Sequence, residues 1–449
     1  MTQKPTLASL AIDLTSGRAS SRSLVEACLD RIEDPAGEGT RAFLLVDKRA
    51  VLAQADAMDL LRSSGAAPSR YAGIPVSIKD LFDITGQVTR AGSTVLKDRP
   101  AATRDAACIA RLRRAGFVLI GRTNMSEFAF SGIGMNPHYG TPRNPWDRAQ
   151  ARVPGGSSSG AAISVTDLMA HAALGTDTGG SCRIPAAFTG LVGYKPTAHR
   201  VPRRGAIPLS TTLDSVGPLA RSVACCASLD AVLAGESPPD LSNRAVAGLR
   251  FGVPKTTVLE NLDTPVATHF ERSLAQLAAA GAHLEHIDVP EFAQASEINA
   301  KGGFSAAESY AWHRGLIETH AAEYDPRVLV RIQRGATQSA VDYIELTAVR
   351  KAFITGVEER MARFDALLMP TVPIVAPRIA DLSSDAEFFR FNGLALRNPG
   401  LINLLDGCAI SIPNHAEGEP PTGLMLACRG GLDAHLFRCA AAAESVVRP

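Results

Sequence analysis

The sequence predicts an α/β fold in which a β-sheet is covered by helices, and three observations carry that expectation. Short, partly β-branched runs bounded by Gly or Asp recur along the chain. Helical patterns, several closed by glycine, alternate with them in a strand, helix, strand order. The chain is also long enough for a large core, with 449 residues, 46% hydrophobic and 20% charged. Its net charge is +1, from 46 basic and 45 acidic residues, so nothing calls for nucleic acid or an anionic membrane. No run of eighteen apolar residues occurs, so no membrane span is expected. The stretch MTQKPTLASLAIDLTSGR lacks the apolar segment and cleavage site of a signal peptide, and a cytoplasmic location is expected.

Residues 7–32 read as two helices separated by Thr15-Ser16-Gly17-Arg18, with Ser20 or Ser21 as a cap. Residues 42–61 follow as an apolar run, AFLLV, and an Ala-rich helical pattern; together these form a peripheral layer. Residues 74–78 read as a buried strand bounded by Gly73 and Asp80, with Lys79 at its end. Residues 104–116 read as a helix and 117–120 as the next strand. The segment GRTNMSEFAFSGIGMNPHYGTPRNPWD is irregular and reads as loops over a site; Gly132 and Gly134 complete no dinucleotide fingerprint.

Residues 159–167 read as a helix, 170–174 as a strand, and Pro185-Ala186 as the opening of another helix. Residues 201–237 are α/β-like and 238–242 a linker. GLRFGVP, HLEHIDVP, the proline-broken ALLMPTVPIVAP and TGLMLAC read as strands, with helices over 266–281, up to about 362, and over 434–447. The eight cysteines form no CxxC pair and the ten histidines show no zinc spacing, so no metal and free, mostly buried thiols are expected.

The stretch from Pro154 to Thr197 carries the chemistry. PGGSSSG and LGTDTGGSCRIPAAFTGLVGYKPT hold six of the 38 glycines, between Gly155 and Gly180. Paired glycines permit positive φ and close approach of a substrate. The amides around Thr178, Gly179 and Gly180 can turn inward as an oxyanion hole requires, with the Ser181 hydroxyl at the end of the turn. That is the layout of an acyl-transfer site. Lys79 has two readings, an ordinary salt-bridged lysine or a desolvated base. The second needs its pKa to fall by roughly 3, with Ile74, Val76, Ile78 and Phe82 as sources of desolvation. Cys182 follows the nucleophile candidate and reads as a small side chain facing the core.

GIPVSIKD, PGGSSSG and LGTDTGGSCRIPAAFTGLVGYKPT closely resemble the signature of the amidase signature family, densely over residues 71–217 and weakly to DALLMPTVP and the C-terminal strand. The resemblance implies a mixed β-sheet core with helices on both faces, in one domain over 1–449. Within it, 1–66 form peripheral helices, 67–237 the catalytic core, and 238–449 complete the sheet and substrate pocket. It implies Ser181 as nucleophile, Ser157 as the family's cis-serine and Lys79 as its lysine, with Thr178, Gly179, Gly180 and Ser181 donating oxyanion amides. Ser158, Asp177 and Arg183 take supporting roles, Asp177 bracing the turn and pairing with Arg183. Cys182 departs from the family's usual aliphatic residue. The implied activity is hydrolysis of a small-molecule amide, without a cofactor.

Met125, Phe128, Met135 and Tyr139 are candidates for the acyl pocket, although core packing explains them as well, and the same holds for Phe304, Trp312, Phe388 and Phe389. Arg90, Arg143 or Arg314 are candidates to hold a substrate carboxylate. Two rivals stand. GSSSG also fits a nucleophile elbow with Ser158, followed by Asp406 and His415 in chain order, but no buried strand precedes it. The amidase resemblance also includes the glutaminase subunit of tRNA-dependent amidotransferases, which works inside a complex. A homodimer is a common state for enzymes of this length.

Overall fold

The computed structural model describes residues 5–243 and 245–448; the first four residues of the N-terminal stretch read above lie outside them. One eleven-stranded sheet runs through the molecule. Its strands are β1 (Phe43–Leu45), β2 (Pro75–Lys79), β3 (Val118–Thr123), β4 (Ala172–Asp177), β5 (Val192–Lys195), β6 (Ser215–Ala220), β7 (Arg250–Pro254), β8 (His283–Ile287), β9 (Ala366–Pro370), β10 (Cys408–Pro413) and β11 (Gly423–Cys428). They lie in the order β1-β3-β2-β4-β6-β5-β10-β11-β9-β7-β8.

The sheet is mixed for a topological reason. Strands β3, β2 and β4 are parallel, as are β9, β7 and β8. Each parallel pair needs a crossover, and helices supply it: Ala107–Arg114 between β2 and β3, Ser159–Thr166 before β4, and Thr264–Ala279 between β7 and β8. The middle, from β4 through β6, β5, β10 and β11 to β9, is antiparallel.

Alternation along the strands divides the interior into two cores. Ile74, Val76 and Ile78 join Leu174, Ile410 and Leu426 in the larger apolar cluster. The intervening positions face the other way: Ala409, Met425 and Ala427 enter a second cluster, and Ser77 Oγ meets Ser164 Oγ of the helix Ser159–Thr166 at 2.8 Å. Lys79 shares the parity of Ser77 and so lies on that helix-bearing face. The strand reading therefore needs one correction. Ile74, Val76 and Ile78 pack on the face opposite Lys79, and its desolvation comes from the other layer.

The peripheral helices form as read, at Leu7–Thr15 and Ser21–Glu33, the second capped by Ser20 through the Ser23 amide. Among the described residues, no helix is long and apolar enough to cross a membrane. All eight cysteines are free and buried.

Candidate active site

Two strand ends and two helix starts converge at the site. Lys79 ends β2 and Asp177 ends β4; Ser157 and Ser158 precede the helix Ser159–Thr166, and Ser181 precedes the helix Arg183–Thr189. The Gly156–Ser157 peptide is cis. Space there admits only glycine: a Cβ on Gly156 would lie 2.5 Å from the Gly134 nitrogen. Lys79, Ser157 and Ser158 are fully buried.

Lys79 Nζ donates to Ser157 Oγ at 2.7 Å and to Thr176 Oγ1 at 2.8 Å. Burial pushes this amine down from 10.5 to about 8, outweighing the upward pull of Cys182, Asp177 and Asp214. Thr176 was not among the residues drawn from the sequence. It lies inside β4, one position before Asp177, and shares the parity of Leu174 on the face opposite Lys79, so alternation along the strand gave no signal for this contact at the strand ends.

The turn that carries Ser181 is held by Asp177. Its Oδ1 accepts the Gly180 amide at 2.8 Å and its Oδ2 the Cys182 amide at 3.1 Å. Arg183 clamps the same carboxylate at 2.9 and 3.0 Å, and Asn403 Nδ2 adds a bond at 2.9 Å. Burial opposes ionisation of Asp177, yet Arg183 and Asn403 prevail and hold it well below the usual carboxylate range. The expected Asp177–Arg183 pairing is thus present.

One oxyanion expectation changes. The Gly180 amide is already committed to Asp177, so it is no free donor; the amides of Thr178, Gly179 and Ser181 have no partner among the described residues. Gly180 sets the turn at a φ of +125°, which L side chains rarely adopt. Thr178 is braced by Asp214, its Oγ1 donating at 2.6 Å.

Ser181 lines a cavity of about 710 Å³ together with Thr178, Gly179, Phe130, Ser131 and Leu396. Among the described residues no hydrogen bond ends on Ser181 Oγ; the Ser158 amide donates to the Ser181 carbonyl at 3.4 Å and ties the two serine segments together. Ser158 Oγ donates to Thr176 O at 3.4 Å. Cys182 is buried beside Gly217, its thiol pushed well up by burial, as a core residue would be.

The pocket side chains read from the loop sequence lie elsewhere. Phe128 packs edge-on against His313 and tilted against Tyr324, at 4.3 and 5.4 Å between ring centroids. Met125 is fully buried, Met135 packs in a separate apolar cluster, and Tyr139 Oη reaches Ser93 O at 3.3 Å. The loop does wall the cavity, but through Ala129, Phe130 and Ser131. Phe304, Trp312, Phe388 and Phe389 are likewise outside the lining.

The candidate carboxylate holders are placed differently too. Arg143 pairs with Glu38 at 2.6 Å, Arg314 is exposed, and Arg90 does not line the cavity. Instead Arg331, Arg334 and Arg397 line it. The alternative elbow does not assemble: His415 sits at Thr422 and Asp406 at Ala198, and neither bonds Ser158.

Residues 23–437 match the Amidase family. The chain is 37% identical to 2-amino-5-chloromuconic acid deaminase of Comamonas testosteroni, over 88% of this chain and 86% of that protein. It is 33% identical to one subunit of the glutamyl-tRNA(Gln) amidotransferase of Symbiobacterium thermophilum, over 96% of this chain and 95% of that protein. A crystal structure of an amidase superposes with a TM-score of 0.89 at 31% identity, covering 99% of this chain and all (100%) of that one. The chain belongs to the amidase family, the amidase signature enzymes, and is a hydrolase acting on C–N amide bonds.

Proposed function

We propose that this chain hydrolyses a small-molecule carboxamide to a carboxylate plus ammonia or an amine, through an acyl-enzyme on Ser181. The observation that carries the reading is the 2.7 Å contact between a buried, weakened amine and the Ser157 hydroxyl, beside the cavity that Ser181 lines. A serine hydroxyl is a weak nucleophile without a base. Neutral Lys79 takes the Ser157 proton while one N–H stays on Thr176, and Ser157 in turn takes the proton of Ser181. Ser181 Oγ makes no hydrogen bond of its own among the described residues, so its hydroxyl is free to turn toward Ser157. The oxygen of the attacked carbonyl then takes its charge between the free amides of Thr178, Gly179 and Ser181. Ser157 passes the proton to the departing amine, and water releases the acid by the same route.

The cavity also favours one class of amide. Arg331, Arg334 and Arg397 form no ion pair among the described residues, and only Glu260 brings a carboxylate to the lining. Unpaired guanidinium groups facing a partly desolvated cavity recognise carboxylates. The substrate proposed is therefore an amide bearing an acid group, in keeping with the acid in the name of the Comamonas relative. We read the chain as one amidase domain of the cytoplasm.

A second reading rests on the likeness to the Symbiobacterium amidotransferase, whose name makes the matching protein one subunit of a larger enzyme. Ammonia release by the purified chain from half-amides of dicarboxylic acids tests both. Turnover alone, lost by orders of magnitude in Ser181→Ala and Lys79→Ala and somewhat less in Ser157→Ala, is the expected result. Parent-like rates in either of the first two would overturn the mechanism, and activity only with added partner subunits would favour the complex.

A further inference from the structure

A single buried carboxylate holds the segment that grips the relay peptide. Residues 126–132 bracket Gly156 and Ser157: the Ser126 amide donates to Ser157 O at 3.1 Å, and the Gly156 amide to Gly132 O at 2.8 Å. Between those contacts the chain doubles back with Phe128 and Ala129 at φ of 48° and 61°. Non-glycine residues keep that conformation only where their surroundings impose it. The same turn presents Ala129, Phe130 and Ser131 to the cavity.

Glu127 imposes it. Its carboxylate is fully buried and receives three donors from three parts of the chain. Ser93 Oγ donates to Oε1 at 2.7 Å, His138 Nε2 lies 2.8 Å from Oε1, and the Asp325 amide donates to Oε2 at 2.8 Å. Asp325 caps the helix Pro326–Gln333, which carries Arg331, and Arg331 in turn donates to Phe130 O. One side chain thus joins the turn beside Ser157, the loop of His138 and the helix of the cavity arginine.

We infer that Glu127 is a positioning residue, holding the Ser157 peptide and the Arg331 helix in register, with His138 as its titrating partner. The inference rests on the relay reading above, because Glu127 acts through Ser157. The groups facing His138 are Glu127, Asp325 and the ring of Tyr139. The hydrogen bond to Glu127 raises His138 above its ordinary value against the effect of burial. The charged tie is therefore complete at low pH and weakens as pH rises through that raised value. A glutamine in place of Glu127 reverses the sign. Its single oxygen serves the Asp325 amide and its NH₂ turns to Ser93 and His138, so His138 accepts only when neutral. Protonation of His138 then breaks the tie.

The test is kcat for a simple amide between pH 6 and 8.5, taken as the ratio of variant to parent so that Lys79 titration cancels. For Glu127→Gln the ratio is expected to rise roughly threefold or more with pH, and Glu127→Gln/His138→Gln, which carries no titrating partner, to rise less, only as far as the parent's own tie weakens. A ratio independent of pH, as a merely structural role gives, would overturn the inference. His138→Gln alone decides the matter if Glu127→Gln does not fold. Its donor is present at every pH, so its ratio rises as the parent's tie weakens, and a flat ratio again overturns the inference. A parent-like rate in Ser157→Ala would instead remove the relay reading, an outcome separate from either ratio.

Discussion

Arginine in place of Lys79 keeps the positive charge and removes the base, so it isolates what the buried amine contributes. At pH 7 a lysine titrating at 10.5 is neutral in roughly 0.03% of molecules, and one at about 8 in roughly 9%. Burial thus multiplies the available base by about 300. A guanidinium never deprotonates at these pH values, and loss of a general base costs about 10²–10⁴ in rate. Lys79→Arg is therefore expected to lower kcat/KM by that factor. The sign of the pH dependence follows from the same group. The active form is the unprotonated one, so kcat/KM of the parent is full above about 8 and falls about tenfold per pH unit below it. Ammonia release under substrate-limiting conditions from pH 6 to 9.5 measures both quantities. A flat parent profile over that range, or a Lys79→Arg rate within tenfold of the parent, would refute the reasoning.

Three further outcomes are expected. Asp177→Asn leaves the buried Arg183 guanidinium without its anion, and a loss of about 3–5 kcal/mol in unfolding free energy should appear in denaturant titration. Gly180→Ala places a Cβ 2.6 Å from Pro399 Cβ at a φ of +125°, so a loss of about 1–3 kcal/mol is expected in the same titration. Ser158→Ala removes a 3.4 Å contact to Thr176 O and a side-chain hydrogen bond with the Cys182 thiol, and should keep most of the activity that Ser181→Ala abolishes; the reverse pattern in the ammonia assay would restore the nucleophile-elbow reading.

The sequence was most legible where a short run decides its own geometry. Pro75 to Lys79 is a strand because its alternating side chains are buried on both faces of the sheet, and GTDTGGS turns because Gly180 reaches a φ that L side chains rarely adopt. The TD of that motif proved to be the end of β4 rather than loop, so the strand lies two or three residues beyond the reading. The helix Asp385–Leu405 and β10 escaped notice, since Pro399 sits inside the helix and resembles a break. Tertiary packing hid the pocket. Phe128 looks like a wall residue by its place in the loop, yet His313 and Tyr324, distant in sequence, draw its ring into the core. Arg331 carries no local signal at all; its helix is tied to the cavity wall by the Asp325 amide on Glu127 and by its own bond to Phe130 O, residues distant in sequence.

The most direct test of the central claim is labelling with a fluorophosphonate probe, with the adduct located by peptide mass and its rate followed against pH. The account predicts a single adduct on Ser181, forming faster as pH rises toward about 8 and slowly in Lys79→Arg. An adduct on Ser158, or a rate on Ser181 indifferent to both pH and Lys79, would contradict it.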